Sequence, residues 1–204
     1  MSETATVIDE EFATDVLAGL GSAQKTLPCR WLYDERGSQL FDEITDLPEY
    51  YPTRTETKIL ESFRGAIAAA AGPNATLVEY GSGASVKTRL LLDTFDELNC
   101  YVPIDVSAEF LAETASQLQR DYPDLSIASV VGDFLSPISV PDEARGEGRT
   151  IGFFPGSTIG NLSNEEISDF FGRARQDLGD GASFVLGADL KKDVSRLIPA
   201  YDDA

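Results

Sequence analysis

The sequence has 204 residues, 42% of them hydrophobic and 25% charged, which suits one folded domain and is unlike a disordered chain. Sixteen basic residues stand against thirty-five acids, a net charge of −19, and a surface of that sign repels phosphate backbones, so a nucleic-acid partner is not expected. There is no His, which excludes a Ser–His–Asp triad, a His-ligated zinc and a His general base within these residues.

In chain order, Phe12, Val16, Leu17 and Leu20 recur at helical spacing, with Gly19 and Gly21 ending the run. A loop with Pro28 and Trp31 follows. Ser38 is placed to cap a short helix that turns Leu40, Phe41 and Ile44 inward. In LPEYYPTR, Pro48 and Pro52 bracket Glu49, Tyr50 and Tyr51, and two prolines so close predict an ordered, non-helical turn. A longer helix is predicted over 55–71, with Ile59, Leu60, Phe63 and Ile67 on one face, stopped by Gly72-Pro73-Asn74.

From residue 76 the rhythm changes to short apolar strands alternating with helices. Strands are predicted over 76–80 (TLVEY), 100–105 (CYVPID), 126–132 (SIASVVG), 150–154 (TIGFF) and 183–188 (SFVLGA). Helices are predicted over 86–95, 108–121 and 164–178, the last with Ser163 and Glu166 as a capping box. The alternation predicts an α/β fold, a Rossmann-like, doubly wound parallel sheet with right-handed crossovers. It divides the chain into an N-terminal helical subdomain, 1–74, and a cofactor-binding domain, 75–204. SFVLGA is apolar throughout, so it reads as a strand covered on both faces whose open edge needs a neighbour.

In such sheets ligands bind beyond the carboxyl ends of the strands, where strand order switches. The first strand ends in Glu79-Tyr80-Gly81-Ser82-Gly83, whose glycines permit a tight turn and let a ligand lie on bare backbone. The second ends at Asp105, an acid suited to a ribose diol, and the third at Asp133-Phe134, an acceptor beside an apolar face suited to adenine. Val86 stands where a dinucleotide fingerprint has its third glycine, and Lys87-Thr88 lacks the glycine of a phosphate loop. A site not built around pyrophosphate fits S-adenosylmethionine, whose amino-acid carboxylate Lys87 is placed to face. The E-x-G-x-G, acid and G-D-F order is that of a class I methyltransferase.

The segments QKTLPCRWLYDERGSQLFDEITDLPEYYPTRTE, VEYGSGASVKTRLLLD, VPIDVS, GDF, PGSTIGNL and GADLKKDVSRLIPAYDD, in this order, resemble the histidine N-alpha-methyltransferase family, from about Phe12 onward. Its members make trimethylhistidine (hercynine) in ergothioneine biosynthesis. The resemblance implies that Gly81, Lys87, Asp105, Asp133 and Phe134 hold S-adenosylmethionine, and that Tyr50, Asn161 and Tyr201 border L-histidine. Tyr80 stands where that family usually has an aliphatic residue and Pro155 where Leu is common in it; neither change removes a polar contact. Members of the family continue past the point that matches Ala204 and draw further substrate contacts from there. The expectation is therefore a chain truncated at its C-terminus, which binds the cofactor but methylates histidine negligibly by itself. The residues present leave another amino acid or amine as acceptor, or a non-catalytic cofactor-binding module, as alternatives, and they show no general base.

No apolar run approaches the roughly 18 residues that span a bilayer, and MSETATVIDEEF lacks the basic and apolar regions of a secretory signal. A cytoplasmic protein without a membrane partner is expected, with Cys29 and Cys100 reduced. The acids run from Asp9 through Asp96 and Asp142 to Asp203, and Arg outnumbers Lys eleven to five. Like charge at this density destabilises a compact state unless salt screens it, so the surface reads as adapted to molar salt.

Overall fold

The computed structural model describes residues 10–202; the acidic first nine residues, Asp9 among them, and Asp203 and Ala204 lie outside the described residues. Among the described residues no helix is long and apolar enough to cross a membrane. The centre is a parallel sheet of β1 (Ala75–Tyr80), β2 (Leu98–Asp105), β3 (Ser126–Ile127), β4 (Val130–Val131), β5 (Thr150–Phe154) and β6 (Ser183–Leu186). Its order is β3-β2-β1-β5-β6, with β4 also on β2. All six residues of β1 are buried, as a strand with helices on both faces requires.

Side chains alternate across each strand, so two cores form. Val78, Tyr80, Val102, Ile104 and Phe154 point to one face, under Phe170, Ala174 and Leu178 of α6 (Asn164–Leu178). Leu77, Tyr101, Ile151 and Phe153 point to the other. There they meet Leu60 and Ala71 of α3 (Tyr51–Ala71), Leu91 and Leu92 of α4 (Val86–Leu92) and Leu118 of α5 (Ala108–Asp121). The doubly wound fold expected from the alternating pattern is present, and β5, α5 and α6 have the predicted limits. The α6 capping box forms with Ser163 and Glu166. Cys29 and Cys100 are free thiols.

The N-terminal part departs from the prediction. α1 (Glu10–Gly21) is a helix, but Leu17 is 77% exposed and its apolar stripe is not buried as a face. α2 (Glu35–Thr45) is capped not by Ser38 but by Asp34, whose side chain accepts from the Gly37 amide at 2.7 Å. Ser38 lies inside the helix and is buried. Leu40 and Ile44 are exposed, and the helix packs through Phe41, edge-on to Tyr33 and Tyr50.

LPEYYPTR is not a non-helical turn throughout: α3 starts at Tyr51 and holds Pro52 in its first turn. Amides there have no intrahelical acceptor, so the missing N–H of proline costs nothing. Arg54 donates back to the carbonyls of Leu47, Pro48 and Tyr50, tying the preceding loop to the helix. Of the predicted inward face, Leu60 is buried while Ile59 and Phe63 are exposed.

The third predicted strand splits into β3 and β4, each pairing with β2 over two residues. Among the described residues β6 pairs with β5 alone, at the end of the sheet, and it is half-buried rather than doubly covered. α7 (Val194–Tyr201) was not legible because Pro199 sits inside it; its cap is Asp193, which accepts from the Ser195 amide.

Candidate functional site

The chain leaves β1 toward β2 on one side and meets β5 on the other, so the switch in strand order lies at the end of β1. The turn after β1 is held by the amides of Gly81 and Ser82, both donating to the Ile104 carbonyl at 2.9 and 3.0 Å. Gly81 has φ +71°, where a side chain is strained. The space over its bare α-carbon is open, and the nearest atom is Phe134 Cε1, 3.9 Å from the position of a Cβ. Gly83 and Ser85 are also left-handed, at φ +48° and +54°. Three such residues in five turn the chain sharply into α4.

Asp105 is oriented by two backbone amides. Gly83 donates to Oδ2 at 3.0 Å and Ser107 to Oδ1 at 3.1 Å. Asp133 accepts from the Leu135 amide at 2.8 Å and from Arg30 Nη1 at 3.1 Å. Phe134 packs against Phe154 and Phe170, with centroids at 5.0 and 5.9 Å. The Ser82 and Ser107 hydroxyls, in the turns after β1 and β2, are buried with no partner among the described residues. Open backbone, two fixed carboxylates, an aromatic wall and two unspent hydroxyls fit an adenosine-bearing ligand.

Lys87, on the first turn of α4, meets Glu56 of α3 at 2.5 Å. Glu56 also accepts from the Gly156 amide through both oxygens, at 2.9 and 3.0 Å. A Cβ at Gly187 would lie 1.7 Å from Glu56 Oε1, so the bare glycine lets the Glu56 carboxylate stay where it is.

Beneath the turn, Glu79 is 1% exposed and accepts from Thr88 at 2.6 Å and from the Tyr101 hydroxyl. Burial pushes its carboxyl up to about 7, against the pull of those hydrogen bonds. A carboxyl raised on folding holds its proton longer in the native state, so its contribution is complete below about pH 4.5 and is lost as pH rises through about 7. Relative to Glu79→Gln, the wild type is therefore expected to lose unfolding free energy across that window, measured by denaturant melts at several pH values. Parallel profiles would show that Glu79 does not titrate there.

Tyr50 is 6% exposed and meets Tyr201 edge-on at 5.7 Å. Burial, then the neighbouring Tyr201 and Tyr33, push its hydroxyl well above the ordinary tyrosine range. Beside this pair, Tyr51 donates to Asp189, which also takes a hydrogen bond from Lys192, and the Lys192 ammonium lies 4.2 Å from the Tyr51 ring centre. Asn161 ends a 3-10 turn after β5, is exposed, and has no side-chain hydrogen bond to either tyrosine among the described residues.

The structure thus gathers Gly81 with Phe134 and Tyr50 with Tyr201 and turns Lys87 onto Glu56, while Asn161 has no side-chain hydrogen bond to them among the described residues. Glu56, Arg30, Tyr33 and Asp189 were not singled out by sequence. Glu56, Arg30 and Asp189 act through a partner far along the chain, and no local spacing marks them.

Residues 12–204 match the family of SAM-dependent histidine-specific methyltransferases. The chain is 46% identical over 198 residues to Histidine N-alpha-methyltransferase of Mycolicibacterium smegmatis, covering 96% of this chain and 60% of that one. It is 47% identical over 192 residues to the protein of the same name from Mycobacterium tuberculosis, covering 93% and 59%. It therefore spans about three fifths of the length of these relatives. Ergothioneine biosynthesis protein 1 of Schizosaccharomyces pombe is 31% identical over 188 residues, 87% of this chain and 24% of that one. In fold it resembles the CurJ carbon methyltransferase, with a TM-score of 0.55 at 17% identity over 86% of this chain and 45% of that one. With a match that starts at Phe12 and takes in the whole described sheet, the chain belongs to the SAM-dependent histidine-specific methyltransferase family.

Proposed function

We propose that this chain binds S-adenosylmethionine and serves methyl transfer to the α-amine of L-histidine, leading to trimethylhistidine. The observation that carries the reading is the cradle at the switch point: open backbone at Gly81, Asp105 and Asp133 held by amides, the Phe134 wall, and the unpartnered Ser82 and Ser107 hydroxyls. In it Asp105 takes the ribose diol, Asp133 and Phe134 the adenine, and Lys87 the amino-acid end. When bound, S-adenosylmethionine supplies an electrophilic methyl carbon on a sulfonium that leaves as a neutral thioether. The chain then has to align the acceptor and keep water out, tasks worth several orders of magnitude in rate.

Tyr50, Tyr201 and Asn161 border the acceptor amine. Tyr50 keeps its proton at neutral pH, since burial raises its hydroxyl, so it serves as a donor or a wall and not as the base. Residues 1–74 cover the acceptor side and 75–204 carry the cofactor. That division is supported by Arg30 reaching Asp133 and Tyr50 meeting Tyr201.

Calorimetry with S-adenosylhomocysteine, with NAD and then with L-histidine tests the reading, together with mass spectrometry after incubation with S-adenosylmethionine. The expected result is S-adenosylhomocysteine binding without comparable NAD binding, and any methyl that is transferred found on L-histidine in preference to L-tryptophan. NAD binding of similar strength, or methylation of L-tryptophan in preference to histidine, would overturn it.

The same protein carries a charge of −19. Raising KCl from about 0.1 M to about 2 M shortens the reach of repulsion from roughly 10 Å to a few Å. The thermal midpoint is expected to rise over that range, and a flat or falling midpoint in calorimetric scans would reject adaptation to molar salt.

A further inference from the structure

We propose that Glu56 and Lys87 form a preformed clamp for the zwitterionic amino-acid end of the cofactor, Lys87 meeting its α-carboxylate and Glu56 its α-ammonium. This rests on the reading that the cofactor is S-adenosylmethionine. It extends it by assigning the ammonium subsite to a residue of the N-terminal part of the chain.

Position comes first. Asp105 and Asp133 lie on the β2 side of β1, where the adenosine is assigned. Lys87 follows the glycine turn on α4, and Gly156 follows β5, the neighbour of β1 on the other side. Glu56 bridges these two segments. The ion pair therefore stands across the switch point from the adenosine site, at the end where the amino-acid tail must lie.

Charge and burial come second. The side chains of Lys87 and Glu56 are 18% and 17% exposed, so water screens them poorly and a ligand charge placed there must be matched. A lone Lys would favour an anionic tail and a lone Glu a cationic one. The pair is neutral overall, presents both signs within 2.5 Å, and suits a tail that carries both.

Fixity and spare capacity come third. Glu56 is held by the Gly156 amide and has room because Gly187 carries no side chain. Among the described residues the Lys87 ammonium has one hydrogen-bond partner, which leaves two of its three N–H groups for a ligand.

The test uses the full chain as wild type, Glu56→Gln and Lys87→Gln, titrated calorimetrically with four probes. These are S-adenosylhomocysteine, its analogue without the carboxylate, its analogue without the amine, and 5′-methylthioadenosine, which lacks the amino-acid end. Wild type is expected to bind S-adenosylhomocysteine about tenfold or more tightly than either single-charge analogue. Glu56→Gln is expected to lose about tenfold for S-adenosylhomocysteine yet gain for the carboxylate-only analogue, which no longer faces the Glu56 charge. Lys87→Gln is expected to do the converse with the amine-only analogue, and 5′-methylthioadenosine to move by less than about twofold in either variant. A purely structural tie between α3 and α4 would weaken all four probes alike, and that pattern overturns the clamp. So does a wild type that binds S-adenosylhomocysteine no better than the single-charge analogues, a comparison that needs no variant to fold. If wild type binds none of the four probes, 5′-methylthioadenosine included, the cofactor reading itself fails; if it binds S-adenosylhomocysteine and 5′-methylthioadenosine equally, only the clamp does.

Discussion

Asp105→Ala is expected to weaken S-adenosylhomocysteine binding by roughly 30-fold to several hundredfold, the equivalent of about 2 to 4 kcal/mol for two charge-assisted hydrogen bonds to a ribose diol. The structure adds a reason for an effect at the upper end. The carboxylate also receives the amides of Gly83 and Ser107, so its removal leaves two backbone donors unpaired and loosens the turn that a ligand must lie against. Because 5′-methylthioadenosine has the same ribose, it is expected to lose as much as S-adenosylhomocysteine. That separates Asp105 from the Glu56–Lys87 pair, whose loss spares 5′-methylthioadenosine. Equal affinity of wild type and variant for both nucleosides would remove Asp105 from the ribose.

The second large effect is on stability. Phe170 is 1% exposed, and its ring meets those of Phe154, Tyr80, Phe171, Phe134 and Phe184 at 5.0 to 6.0 Å. Truncation to Ala leaves a cavity in this aromatic layer and is expected to cost about 3 to 5 kcal/mol. For a chain of this size that lowers the thermal midpoint by about 6 to 20 °C. Phe134 rests on the same ring, so the folded fraction is also expected to bind S-adenosylhomocysteine less tightly than wild type. Phe170→Leu fills most of the volume and is expected to lose less than half as much. A midpoint within about 2 °C of wild type for Phe170→Ala would show that the layer closes over the gap.

Tyr80 belongs to the same layer. Its ring stacks on Phe184 at 5.9 Å, and its buried hydroxyl has no partner among the described residues. Burial raises that hydroxyl's pKa, so it stays neutral. A neutral unpaired hydroxyl costs far less than a buried charge would.

Sequence alone determined the body of the fold. β1, β2 and β5 are short apolar runs that had to be central strands, and α5 and α6 carry helical periodicity, α6 with a capping box. These signals lie within a few residues of one another. The glycines, Asp105 and Asp133-Phe134 at successive strand ends were legible for the same reason, since a parallel sheet brings its carboxyl ends together. What only the tertiary structure decided was the pairing of residues far apart. Lys87 found Glu56 31 residues earlier, Asp133 took Arg30 103 residues earlier, and Tyr51 took Asp189 138 residues later. Likewise, Ile59 and Phe63 stay exposed while Leu60 is buried, and Pro199 lies inside a helix. Each of these depends on which surfaces meet when the chain closes on itself, and the free energy of burying and pairing such groups outweighs the few tenths of a kcal/mol by which ordinary local preferences differ, roughly.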